Sequence, residues 1–122
     1  MSKVIVIDDE PFILMMIEDK FKKAKIDVTT LRESRNALEV IKKVKPELVI
    51  LDWMMPELSG IDLCKMIKAD PELKDIPIFM LTAKGQDSDE LQSMQCGVSR
   101  YITKPFSPKS LLEMVQKIIG KA

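Results

Sequence analysis

Hydrophobic and polar positions follow two rhythms along this chain. Short unbroken apolar runs, Lys3–Ile7 (KVIVI), Leu48–Leu51 (LVIL) and Ile78–Leu81 (IFML), are separated by stretches in which apolar residues return every third or fourth position. The runs are bounded by breakers such as Pro46, Pro56 and Pro77, and read as strands buried on both faces. Strands of that type belong to parallel sheets covered by helices on both sides. Ile26–Leu31 (IDVTTL) is β-rich but more polar, as suits an edge strand, and Val98–Thr103 (VSRYIT) makes a fifth.

Helical stripes lie between the strands. They are Ile13, Leu14, Ile17, Phe21 and Ala24; then Ala37, Leu38, Ile41 and Val44; then Ile61, Cys64 and Ile67; and finally Leu111, Leu112, Val115, Ile118 and Ile119. Start signals agree with them: Pro11 suits a first turn, Ser34 a cap, Ser59 or Gly60 a start, and Ser107 a cap with Pro108 opening the last helix. A further helix, from Asp87 to Gly97, opens on Asp87 and Glu90 in a capping-box arrangement but has only Leu91, Met94 and Cys96 to bury. Five strands alternating with five helices predict right-handed crossovers and a mainly parallel three-layer sandwich. A chain of 122 residues is too short for a (β/α)₈ barrel.

Composition acts by exclusion. The 19 basic and 19 acidic residues cancel, so no net field attracts nucleic acid or an anionic membrane. No apolar stretch reaches the length of a membrane span, and Asp8, Asp9 and Glu10 interrupt the apolar N-terminus too early for a signal peptide. Cys64 and Cys96 have no metal or redox spacing and read as buried thiols of an intracellular protein. Lys20, Lys22, Lys23 and Lys25 read as a solvated face. Histidine is absent, which removes Ser-His-Asp triads, His-ligated zinc and imidazole bases.

The candidate chemistry lies at the carboxyl ends of the strands, where open α/β sheets bind ligands. Asp8 and Asp9, Asp52, Thr82 and Lys104 fall at or just past four such ends. An aspartate there can also simply end a strand and cap a turn. Three carboxylates at one edge repel each other unless a cation sits among them. Oxygen ligands without sulfur or imidazole favour a hard ion such as Mg²⁺. A cation, a hydroxyl and an ammonium around one carboxylate are also what a phosphoryl group needs, with Asp52 as the nucleophile.

The motifs V-I-V-I-D-D-E, L-V-I-L-D-W-M-M-P-x-x-S-G, F-M-L-T-A-K and Y-I-T-K-P-F resemble those of the receiver domains of bacterial two-component response regulators, over the whole chain and in order. The resemblance implies a flavodoxin-like (βα)₅ sandwich with a five-stranded parallel sheet in the order 2-1-3-4-5. It implies that Asp52 is the phosphoacceptor and that Mg²⁺ or Mn²⁺ is held by Asp9, by Asp8 largely through water, by Asp52 and by the backbone carbonyl of Met54. It makes Thr82 the switch hydroxyl, Lys104 the phosphoryl-binding ammonium, Tyr101 the switch aromatic and Lys104–Pro105 a cis peptide. Met54 and Lys84 occupy the positions that modulate dephosphorylation in that family, and slow self-dephosphorylation is expected.

The implied partners are a sensor histidine kinase or histidine phosphotransfer protein and an output protein on the Asp87–Gly120 face, with no direct nucleic-acid or membrane binding. The implied setting is the cytoplasm, as a monomer or a phosphorylation-dependent dimer. Residues 1–122 are expected to form one receiver domain without an effector domain; the alternative is the same domain cut from a longer response regulator or hybrid kinase. Such a module catalyses its own phosphorylation and dephosphorylation and is not a multi-turnover enzyme. An aspartyl-nucleophile phosphatase would need a second Asp two residues after Asp52, where this chain has Met54, which cannot transfer a proton. A nucleotide binder would want a Gly-rich loop where Asp8-Asp9-Glu10-Pro11 stands.

Overall fold

The computed structural model describes residues 2–55, 58–83 and 97–119. Strands β1 (Lys3–Ile7), β2 (Asp27–Leu31), β3 (Leu48–Asp52), β4 (Ile78–Ala83) and β5 (Arg100–Lys104) form one parallel sheet in the order β2-β1-β3-β4-β5. The described helices are α1 (Pro11–Lys23), α2 (Ala37–Val44), α3 (Gly60–Ala69) and α4 (Pro108–Ile118). The expected helix from Asp87 to Gly97, with its capping box and Cys96, falls almost wholly on residues outside those described. Gly97, its expected stop, has φ of 92°, the left-handed region where glycine carries no Cβ penalty.

The sheet divides the interior into two cores, because successive residues of a strand point to opposite faces. Val4, Val6, Leu48, Ile50, Phe79 and Leu81 face α1 and α4, meeting Leu14, Ile17, Phe21, Leu111 and Val115. Ile5, Ile7, Val49, Leu51, Ile78 and Met80 face the other way, onto Ala37 and Ile41 of α2 and Leu63, Cys64 and Ile67 of α3. Every residue of β3 is buried. Each such aliphatic side chain is worth roughly 1.5–3 kcal/mol relative to exposure, so the central strand is the least movable element and holds its last residue, Asp52, firmly.

Local signals hold at three helix starts. Pro11 and Pro108 occupy the first turns of α1 and α4, and Ser59 and Ser107 cap α3 and α4 by accepting from the backbone N–H of Asp62 at 3.2 Å and Ser110 at 3.3 Å. Ser34 does not cap α2. The helix begins at Ala37 with Asn36 in the cap position, and the Ser34 hydroxyl is buried with no hydrogen-bond partner. The two-residue turn between Ser34 and Ala37 uses the Ser34 carbonyl instead, which accepts from the Ala37 N–H at 3.2 Å. Ile118 also departs from its expected stripe: it is exposed, while Ile119 just past the helix end is buried. The lysines of α1 lie on a solvated face, with Lys22 and Lys23 paired to Glu18 and Asp19 one turn earlier.

Candidate functional site

Register builds the site. Ile7 pairs with Leu51, so the residues that follow, Asp8 and Asp52, emerge side by side; Asp52 itself pairs with Leu81, so Thr82 follows one step beyond, and Lys104 lies opposite Ala83. Asp8 is fully buried and its Oδ1 accepts from the Glu10 N–H at 2.8 Å, a turn that leaves Asp9 exposed at the rim. After Asp52 the chain is pinned by Trp53, whose N–H donates to the Leu81 carbonyl at 2.8 Å and whose carbonyl accepts from the Gly60 N–H at 3.0 Å. A Cβ on Gly60 would overlap the Asp52 carbonyl oxygen, so only glycine lets α3 start this close to the site. Met54 follows with its side chain exposed, and the Lys104–Pro105 peptide bond is cis.

Carboxylate oxygens of Asp8, Asp9 and Asp52 all lie within 4.8 Å of one another. The Lys104 ammonium stands among three carboxylates: 2.9 Å from Asp8 Oδ2, 3.1 Å from Glu10 Oε2 and 3.2 Å from Asp52 Oδ1. Burial and the charge of Asp8 push the Asp52 carboxyl up to about 7, against the pull of Lys104. Burial raises Asp8 as well, opposed by the hydrogen bond from the Glu10 backbone and by the neighbouring Lys104 ammonium. Burial alone would lower Lys104; its close pairing with Asp8 and Glu10 and the charge of Asp52 more than reverse this and leave it above the ordinary lysine value.

The donor set fits a hard divalent cation. Three carboxylates, Asp8, Asp9 and Asp52, offer oxygens within 4.8 Å of one another, with no sulfur or imidazole donor in the group. Asp8 Oδ2 is enclosed and, although Lys104 is close, receives no well-directed hydrogen bond. A buried carboxylate oxygen paired through charge alone, without a directed hydrogen bond, is one that a further cation would stabilise.

Thr82 is buried at the end of β4 and accepts a hydrogen bond from the Tyr101 hydroxyl at 3.1 Å. Tyr101 is half-buried, packed against the α2–α3 core. Asp8, Asp9, Asp52 and Lys104 are therefore brought together, with Thr82 and Tyr101 joined beside them. Lys84 lies outside the described residues. Glu10 is the site residue that sequence reasoning passed over: its contact with Lys104 spans 94 positions, and an exposed glutamate before a helix reads as solvated.

Comparison with known proteins agrees with this geometry. The family described as response regulator receiver domain matches residues 4–116. The chain is 39% identical over 118 residues to the phosphate regulon transcriptional regulatory protein PhoB of Pseudomonas aeruginosa, covering 97% of this chain and 52% of that protein. It is 34% identical to the alkaline phosphatase synthesis transcriptional regulatory protein PhoP of Bacillus subtilis, covering 99% and 50%. The chain thus spans about half the length of these relatives. Among solved structures, a putative response regulator from Chloroflexus aurantiacus superposes with a TM-score of 0.90 at 32% identity, covering 96% of each chain. The Vibrio cholerae chemotaxis protein CheY4 does so with a TM-score of 0.90 at 29%, covering 97% of this chain and 98% of that one. With the strand order, the acidic cluster and the Lys104 cradle in place, the chain belongs to the response regulator receiver domains, the phosphorylation-controlled modules of two-component signalling.

Proposed function

We propose that Asp52 accepts a phosphoryl group from a phosphohistidine of a sensor histidine kinase or phosphotransfer protein, and that the modified site switches a protein-interaction surface. The observation that carries this reading is the surroundings of Asp52: an ammonium at 3.2 Å and two further carboxylates within 4.8 Å. An Asp52 carboxylate oxygen forms a new bond to phosphorus as the N–P bond of the donor breaks, and the imidazole leaves with the electron pair. Lys104 and the Thr82 hydroxyl compensate charge on the transferred group. Asp8, Asp9, Asp52 and the Met54 carbonyl would hold Mg²⁺ or Mn²⁺, which supplies positive charge to the phosphoryl oxygens when bound. Asp52 must be ionised to attack, and Lys104 favours that state.

In this reading the regulated surface runs from Asp87 to Gly120. Its support is the Thr82–Tyr101 hydrogen bond, which ties the site to β5. Met54, whose side chain is exposed next to Asp52, and Lys84 set the lifetime of the aspartyl phosphate, since neither can orient an attacking water as an amide or carboxylate could. Intact-mass measurement after incubation with Mg²⁺ and acetyl phosphate tests the assignment. One phosphoryl adduct is expected on the wild type and none on Asp52→Asn or in EDTA; an adduct that survives either condition removes Asp52 or the metal from the reaction.

A further inference from the structure

An ammonium has three N–H donors, and three carboxylates stand around Lys104: those of Asp8, Glu10 and Asp52. Under the proposed function two of them have other work. Asp52 takes the phosphoryl group, and Asp8 turns to the cation. Glu10 has no such task, yet its backbone is fixed from both sides. Asp8 Oδ1 holds its N–H at 2.8 Å, and its carbonyl accepts from the N–H groups of Ile13 at 3.1 Å and Leu14 at 3.3 Å. From that anchored start of α1 the Glu10 side chain, 56% exposed, reaches Lys104 on β5. Burial does not force it there; the contact does.

We propose that Glu10 is a positioning residue for Lys104, keeping the ammonium aimed at Asp52 once the charge of Asp8 is committed to the cation. A cation beside Asp8 repels the ammonium and removes its shortest partner, at 2.9 Å. Glu10 is then the remaining carboxylate, among the described residues, that can hold Lys104 against escape to solvent while Asp52 is being modified. The inference rests on the phosphoacceptor reading of Asp52, and its loss should lower the rate of transfer more than the affinity for the cation.

Glu10→Gln removes the charge and keeps the shape. In EDTA, acylation of Lys104 by acetic anhydride, followed by peptide mass, should be about threefold to tenfold faster in Glu10→Gln than in the wild type, with other lysines unchanged. With saturating Mg²⁺ and acetyl phosphate, the maximal phosphorylation rate should fall by a similar factor, while half-saturating Mg²⁺, read from Trp53 fluorescence, moves less than twofold. Unchanged Lys104 reactivity, or a maximal rate at the wild-type level whatever happens to Mg²⁺ affinity, overturns the proposal. Asp52→Asn run alongside separates the two ideas: an adduct on that variant, or none on the wild type, defeats the phosphoacceptor reading, whereas the labelling in EDTA judges the Glu10 contact by itself.

Discussion

Asp52 and Asp8 are buried carboxyls whose environment favours the protonated form, and this sets a pH dependence for the metal-free protein. Between the ordinary value of 3.8 and about 7, folded Asp52 keeps a proton that the unfolded chain has released. The folded state binds more protons there, so stability falls as pH rises through that window, and Asp8 acts in the same direction. Denaturant midpoints measured in EDTA should therefore decline from pH 4 to pH 8. Asp52→Asn should flatten that decline and stabilise the metal-free fold at pH 8 by roughly 1–3 kcal/mol. Asp8→Asn should act in the same sense but less, because it also gives up the 2.9 Å pair with Lys104. Under the proposed function, saturating Mg²⁺ should reverse the slope in the wild type, since a cation favours ionised over protonated carboxylates. A wild-type midpoint that rises with pH in EDTA would show that Lys104 outweighs burial.

At the scale of elements, the two serines expected to cap helices separate cleanly. Ser107 accepts from the Ser110 N–H, so Ser107→Ala should cost about 1 kcal/mol. The Ser34 hydroxyl is enclosed without a partner, so Ser34→Ala should be neutral or slightly stabilising. Chemical denaturation of both variants checks this; equal losses would restore Ser34 as a cap. Strands were legible because Leu48–Leu51 and Ile78–Leu81 are apolar on both faces, and no amphipathic helix tolerates that pattern. The turn at 34–36 was not, because a serine two residues before a cap looks like a cap when only spacing is read. Ile118 fits the stripe of α4 in sequence, but the helix ends there and the burial passes to Ile119. In the site, Asp8, Asp9, Asp52, Thr82 and Lys104 were legible as strand-end residues. The Glu10–Lys104 and Thr82–Tyr101 contacts were not, since each joins side chains whose meeting depends on tertiary placement.

Across the whole molecule, the proposed function makes Thr82 and Tyr101, joined by a hydrogen bond, the route by which a change at Asp52 reaches the far edge of the sheet. In that reading, a phosphoryl oxygen on Asp52 that draws the Thr82 hydroxyl toward it pulls on Tyr101 through their 3.1 Å hydrogen bond. Only a few kcal/mol of differential interaction are needed to shift a two-state equilibrium of that kind. Amide exchange on the free and phosphorylated protein should change most over 97–104, and Thr82→Ala should be phosphorylated yet lose most of that change. Changes confined to β2 and α2, or a normal response from Thr82→Ala, would mean the signal leaves by another path.

The division of the interior by the sheet has a different consequence, for how such a chain can vary. Val49 and Ile50 are adjacent in sequence but pack in separate cores, one against α2 and α3, the other against α1 and α4. Substitutions that share no packing partners are close to independent. The two halves can therefore drift under separate constraints: a replacement at Ile50 falls in the core that holds Phe21 and Val115, while one at its immediate neighbour, Val49, falls in the core that holds Ile41 and Ile67. The helices on one side can be exchanged for those of a relative without re-fitting the other side, provided that the shared strands, and the carboxylate at the end of the central one, stay in register.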